Sequence, residues 1–340
     1  MKVHILDDWF DTLRGLPSFA RLAGHDVTVW TDHVEDIDVL ADRLALSGLN
    51  AICAMLADRL ADAEAITLFR ERTPITAALL DRLPKLKLIS QRSVYPHVDV
   101  PACTERGVLL CSNMHSGTPS YAAAELTLAL ILAAMRRIPQ QMASLQAGRW
   151  QLAPGKTLRG RTLGLYGYGR IGKTVAGYAE ALGMNVVWWG SDDGRARARA
   201  DGQAVADSRE AFFAGADVIS LHVRLNASTR GLITPADLAA MGPGSVLVNT
   251  SRSGLIAPGD LLTALEAGRP GMAALDVFDV EPLLDAHDPL ANHPNVIATP
   301  HIGYVTEDEL DMQFADIFDQ INAYADDAPI HMINPAVREG

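Results

Sequence analysis

Residues 163–193 read LGLYGYGRIGKTVAGYAEALGMNVVWWGSDD. The stretch opens on an apolar run of strand length and passes through glycines at 167, 169 and 172. A segment with helical spacing follows, then a second apolar run, VVWW. In this order each glycine has its own physical task. Gly167 permits a tight turn out of the strand, Gly169 lets backbone approach a pyrophosphate, and Gly172 lets the helix pack closely on the sheet. The helix N-terminus would turn unpaired N–H groups and a positive dipole end toward phosphate oxygens. The pattern predicts a strand–turn–helix that holds a dinucleotide.

The next strand should end in an acid for the adenosine ribose. Spacing from Gly172 points to Asp192, whereas counting from the strand end points to Gly190 and Ser191. Arg195 and Arg197 could meet a 2′-phosphate, but Asp192 and Asp193 would repel one. NAD is preferred over NADP, and both stay open.

Outward from this motif, short β-branched runs alternate with helical patterns through most of the 340 residues. Strands are expected at 3–6, 27–30, 65–69, 86–90 and 108–111, and again at 162–166, 185–189, 218–222, 245–249, 271–275 and 296–298. Runs apolar on both faces, separated by helices, predict parallel sheets covered on both sides, and the last six strands match a doubly wound nucleotide domain. Between 34 and 62, helix and strand readings compete. A long helix is expected from Tyr121 to Ala147, interrupted at Pro139 and apolar nearly all round.

Composition narrows the function. A net charge of −12 and the lack of a basic stripe argue against a nucleic-acid partner. Cys53, Cys103 and Cys111 are too few and too scattered for a disulfide framework or a zinc site, and each is expected to be a buried thiol. The N-terminal MKVHILDD reads as a strand rather than a signal peptide. The apolar stretch 122–135 is short for a bilayer and carries Glu125. A cytoplasmic protein off the membrane is therefore expected.

Three polar residues fall at or beyond the ends of later strands, where an open α/β sheet binds ligands: Arg252 after LVNTS, Glu281 in ALDVFDVEP and His301 in ATPHIG. With the blocks TLGLYGYGRIGKTVA, ADVISLHVRLNASTRGLI, SVLVNTSRSGLI, AALDVFDVEPL and NVIATPHIGYVT, the chain resembles the D-isomer-specific 2-hydroxyacid dehydrogenases over essentially its whole length. The resemblance implies two doubly wound parallel-sheet α/β domains. One is a flavodoxin-like substrate domain, 1–117 plus 301–340, and the other an inserted Rossmann NAD(P)-binding domain, 118–300. It implies a homodimer through the helix after Thr118. It also implies hydride transfer between nicotinamide and C2 of a small 2-oxo or 2-hydroxy acid. Arg252 would clamp the substrate, His301 would act as acid and base, and Glu281 would orient the imidazole. No metal is called for.

By the same resemblance Tyr168, Arg170 and Ile171 join the glycines in the phosphate loop. The resemblance also implies that Ser120, His222, Thr229, Thr250, Ser251 and Asp276 face the cofactor, and Ser191, reached by counting from the strand end, is expected to join them. The family usually has a glycine-rich loop after the fourth strand, whose backbone N–H groups receive the substrate carboxylate. This chain has SQRSVYPHVDV at 90–100, without glycine. Either the pocket is reshaped or side chains hold the carboxylate; Arg92, Ser93 and Val94 are the candidates there, with Arg70 from LFRERT. Two other functions fit the same scaffold: a non-catalytic dinucleotide-sensing, corepressor-like binding protein, and a formate or phosphite dehydrogenase.

Overall fold

Apolar runs in the first third of the chain become five short parallel strands. The computed structural model describes residues 1–32, 48–69, 72–114 and 120–339. By internal packing the chain divides into two units, Met1–Pro119 with Thr306–Gly340, and Ser120–Val305. Residues 33–47, which take in nearly half of the stretch where helix and strand readings competed, lie outside the description; the helix Gly48–Arg59 covers most of the remainder.

The first unit holds β1 (Lys2–Ile5), β2 (Asp26–Val29), β3 (Ala65–Thr67), β4 (Leu88–Arg92) and β5 (Leu109–Asn113). They pair in the order β2-β1-β3-β4-β5, all parallel, the flavodoxin-like arrangement. The helix Glu307–Ala325 packs against this sheet; Ser90 donates to the Ile317 carbonyl at 2.8 Å. Cys103 and Cys111 are buried, and burial pushes their thiols up to about 11 and about 12, which makes them inert. Cys53 departs from the expectation of burial: it is only half-buried and packs at the margin of the core.

The second unit holds β6 (Thr162–Tyr166), β7 (Asn185–Trp189), β8 (Val218–Leu221), β9 (Val246–Asn249), β10 (Met272–Leu275) and β11 (Val296–Ala298). They form a parallel sheet in the order β11-β10-β9-β8-β6-β7. A single parallel bridge between Trp188 and Val205 adds one more rung outside β7. Counting that rung as the third strand completes the Rossmann succession, in which the chain reverses direction at β6. Side chains alternate along each strand. Leu163, Leu165, Val218, Val246, Val248 and Ala274 enter one core, while Tyr166, Ile219, Leu221, Leu247, Ala273 and Leu275 enter the other. Both faces being dry is why these strands read as continuous apolar runs.

The expected long helix is two, Ala122–Arg136 and Ile138–Gln146, joined at Arg137 with φ +54°. Pro139, lacking an N–H, sits in the first turn of the second helix, where none is required. The first helix lays Leu130, Ile131, Ala134 and Met135 into the same core as Leu163 and Val248. Among the described residues, no helix is long and apolar enough to cross a membrane.

Candidate active site

Gly167 follows β6 at φ +109°, and a Cβ there would collide with the carbonyl of His222, the residue after β8. The turn therefore lies where β6 has neighbours on both sides, the reversal point at which such sheets bind ligands. At Gly172 an added Cβ would press on the Gly167 carbonyl oxygen at 3.0 Å and on the Trp188 ring at 3.2 Å. At Gly169 it would meet nothing within 4 Å. The three glycines thus differ: two are required by close packing, and the third leaves open space at the N-terminus of the helix Arg170–Ala181. Beside it lies a cavity of 540 Å³ lined by Tyr168, Gly169, Arg170, Lys173, Thr174 and Arg197. Open backbone and three cationic side chains fit the phosphates of a dinucleotide.

Gly167→Ala is expected to weaken dinucleotide binding roughly 10–100-fold, because displacing backbone in a filled site costs about 1–3 kcal/mol. Titration followed by the fluorescence of the reduced cofactor measures this. An unchanged Kd would mean that the turn relaxes at no cost.

The neighbours of the loop are tied down. Arg170 donates to the Ser120 carbonyl at 2.7 Å, so both residues sit at the same helix start. The Tyr168 hydroxyl donates to Asp201 at 2.5 Å. Ile171 is half-buried against the core. After β7, Gly190 takes φ +154°, and the Ser191 hydroxyl caps the helix Asp192–Ala200 by accepting from Gly194 N–H. Arg195 lies over the Trp189 ring at 4.2 Å, donates to the Gly190 carbonyl and pairs with Asp192. His222 bonds Ser220 through Nε2 at 2.9 Å, and burial pulls its imidazole down to about 4. Thr229 is spent on its own turn, donating to the Arg224 carbonyl and accepting from Asn226 N–H.

Parallel register brings the ends of β9, β10 and β11 to one edge: Asn249 lies beside Leu275, and Leu275 beside Ala298. Thr250 bonds Thr127 at 2.8 Å, and Ser251 donates to the Leu221 carbonyl at 2.6 Å. Arg252 is extended. Its carbonyl accepts from Asn249, and its own guanidinium donates to the Ser251 carbonyl at 2.7 Å.

His301 Nδ1 lies 2.5 Å from Glu281 Oε2. The other oxygen of Glu281 accepts from Phe278 N–H at 2.8 Å. Burial pushes the Glu281 carboxyl up, but His301, the Phe278 amide and the charge of Arg252 outweigh it and hold it below the usual carboxylate range. Arg252, Glu281 and His301, separate in sequence, therefore belong to one electrostatic cluster.

Asp276 follows β10 and is 1% exposed. Its Oδ1 accepts from the Thr299 hydroxyl at 2.6 Å and from Ile302 N–H at 2.8 Å, and its Oδ2 accepts from Gly303 N–H at 2.8 Å. Burial pushes this carboxyl above the ordinary range against those donors. The side chain reaches for the turn that carries His301, whose φ is +53°. No signal in the sequence distinguishes this clamp from the cofactor contact that the resemblance implies.

In the first unit, Arg92 is 8% exposed, and its Nε lies 3.1 Å from Asp316. Its Nη1 is buried with no hydrogen-bond partner among the described residues. It lines a small notch with Leu68, Phe69, Gln313, Phe314 and Ile317. Ser93 takes φ +79° directly after β4, and Val94 follows in the same turn. Arg70 lies outside the described residues.

The sequence and the fold are similar to those of known proteins. Residues 128–303 match the family model described as "D-isomer specific 2-hydroxyacid dehydrogenase, NAD binding domain". The chain is 38% identical to a D-3-phosphoglycerate dehydrogenase of Methanocaldococcus jannaschii, over 74% of this chain and 48% of that one. It is 35% identical to a hydroxypyruvate reductase of Thermotoga maritima, over 71% and 78%. A solved phosphoglycerate oxidoreductase from Vibrio cholerae O395 superposes with a TM-score of 0.85 at 42% identity, covering 96% of this chain and 100% of that one. The chain spans about half the length of the curated D-3-phosphoglycerate dehydrogenases it matches. On the matched glycine turn, the Rossmann sheet and these likenesses, the chain belongs to the D-isomer-specific 2-hydroxyacid dehydrogenase family.

Proposed function

We propose that the protein is an NAD(P)-dependent oxidoreductase that interconverts a small 2-oxo acid and the D-2-hydroxy acid. The observation that carries this reading is the 2.5 Å pair of His301 and Glu281, under the charge of Arg252, on a sheet edge shared with a dinucleotide turn. The cofactor, when bound, supplies the hydride in one direction and accepts it in the other. Reduction at C2 leaves negative charge on the carbonyl oxygen. The guanidinium of Arg252 is an always-ionised, planar partner for that oxygen and for the neighbouring carboxylate. With Nδ1 committed to Glu281, His301 keeps Nε2 to deliver the proton to the oxygen and to retrieve it in the reverse direction. Glu281 fixes the tautomer and rotation of the ring.

Gly167 to Gly172 hold the pyrophosphate in this reading, with Ser120, Ser191, His222, Thr229, Thr250 and Ser251 disposed around the cofactor. Asp276 we assign to the His301 turn. At the end of β7, Asp192 suits a ribose hydroxyl and Arg195 suits a 2′-phosphate, so the assay includes both NADH and NADPH. Substrate contact in this reading falls to Arg92 and the turn that follows it. Ser93 and Val94 supply that turn. Exposed Ile138, Met142, Leu145, Trp150 and Leu152 support a homodimer through the helices that follow Thr118; a solution mass of one chain would refute it. The net charge of −12 suits a cytoplasmic enzyme without a nucleic-acid partner.

The test follows the nicotinamide absorbance band with a panel of 2-oxo acids, hydroxypyruvate and pyruvate included, and with D-3-phosphoglycerate in the oxidative direction. Turnover of at least one is the expected result. Tight cofactor binding without turnover on any would mark a dinucleotide-binding protein instead. Turnover of formate or phosphite alone would assign a different oxidation.

A further inference from the structure

The turn after β4 does without glycine, and its hydrogen bonds explain how. Ser93 occupies the left-handed region at φ +79°, a conformation that costs a serine and not a glycine. Gln91, one residue before the end of β4 and 1% exposed, turns its amide under this turn. Gln91 Nε2 donates to the Ser93 and Val94 carbonyls at 3.2 Å each. Ser112, opposite Gln91 in the β4–β5 register, donates its hydroxyl to the Ser93 carbonyl at 2.7 Å. Gln91 Oε1 is left buried with no partner among the described residues. The orientation of the amide is therefore set by the acceptors it serves, not by any donor for its own oxygen.

The consequence follows from the planar trans peptide. A carbonyl and the next N–H point in opposite directions. With the Ser93 and Val94 carbonyls drawn onto Gln91, the N–H groups of Val94 and Tyr95 face away from it. Neither N–H donates to a described residue. Two successive free N–H groups make a receptor for a carboxylate.

We propose that Gln91 is a positioning residue for substrate binding: it holds the Val94 and Tyr95 N–H groups toward the carboxylate of the 2-oxo acid and does from within the fold what glycine would do at Ser93. The proposal rests on the oxidoreductase reading and adds to it the residue that sets substrate affinity. Since Gln91 acts through the turn and touches no reacting atom, it governs KM rather than the chemical step.

The experiment is steady-state kinetics on the full chain with the 2-oxo acid that wild type reduces fastest. Gln91→Leu is expected to raise KM for the acid roughly 10–100-fold, while kcat and the cofactor KM stay within about threefold. Adding Ser93→Gly to Gln91→Leu is expected to recover most of the lost affinity, because glycine takes φ +79° unaided. Ser112→Ala, a smaller disturbance that keeps the protein folded should Gln91→Leu fail to fold, is expected to raise KM by roughly three- to tenfold with the same rescue. Oxamate, an unreactive analogue, should lose affinity in step, read by quenching of bound NADH. A KM unchanged in Gln91→Leu and in Ser112→Ala would overturn the proposal. So would a raised KM that Ser93→Gly fails to rescue, because the side chains would then be acting otherwise than through the turn. Failure of wild type on every acid would instead overturn the oxidoreductase reading.

Discussion

His301→Ala is expected to lower turnover roughly 10²–10⁴-fold while the dinucleotide still binds with its wild-type Kd. The asymmetry of the two effects is the point. The glycine turn and its cavity are built from residues 167–174 and Arg197, and none of them takes a hydrogen bond from His301. The imidazole is held by Glu281 on one nitrogen and by backbone at its own position, where His301 N–H donates to the Thr299 carbonyl at 2.9 Å. Its removal would therefore take away the proposed proton carrier and little else. Glu281→Gln should be milder, roughly 10–100-fold, because an amide can still accept from Nδ1–H but brings no charge. Rates are read from the nicotinamide band and binding from cofactor fluorescence on the same samples. A variant without His301 that turns over at the wild-type rate would remove the residue from the mechanism. A variant that loses cofactor affinity in the same proportion would make it a structural support.

That Arg252 and His301 stand out in the sequence at all is owed to the regularity of the second unit. Each of its strands is apolar on both faces, so its end is visible as the place where polarity returns. Arg252, Asp276 and Thr299 all fall within three residues of such an end. Strands β6, β7 and β11 have the limits that their sequence implies for the same reason. The Val205 rung is invisible because three residues, Ala204 to Ala206, carry no periodicity; only the hydrogen bonds from Trp188 N–H to Ala204 and from Ala206 N–H to Trp188 define it. The turn after β4 is illegible for a different reason. A positive φ at glycine announces itself in composition, whereas at Ser93 it goes with bonds to its carbonyl from Gln91 and Ser112, 21 residues apart in sequence. The resemblance to a family supplies the location of that turn but, lacking the glycine, not its conformation. Asp276 lies between these cases: its position is legible, and its partners are not, since Thr299, Ile302 and Gly303 reach it only through the β10–β11 pairing.

Asp276→Asn separates the two roles open to that residue. A carboxylate accepts from Thr299, Ile302 and Gly303 together. An amide offers one oxygen and turns an N–H₂ group against a donor, leaving at least one buried N–H unpaired at a cost of about 1–3 kcal/mol. The alternative arrangement for the turn is a shift of the 301–303 backbone, which has little room: a Cβ at Gly303 would already lie 3.1 Å from Asp276 Oδ2. His301, at φ +53°, holds a left-handed conformation that a bulky side chain disfavours, and the bonds from Asp276 tie down the two residues that follow it. The expected result is a lower melting temperature together with a loss of turnover of about 10²-fold, since a displacement of about 1 Å in a catalytic group carries that penalty. Cofactor Kd should move by less than about threefold, because the carboxylate is buried against the turn and both its oxygens are already engaged. If the cofactor Kd rose in step with the loss of turnover and the melting temperature stayed put, Asp276 would be a cofactor contact, and the clamp on the histidine turn would have to be abandoned.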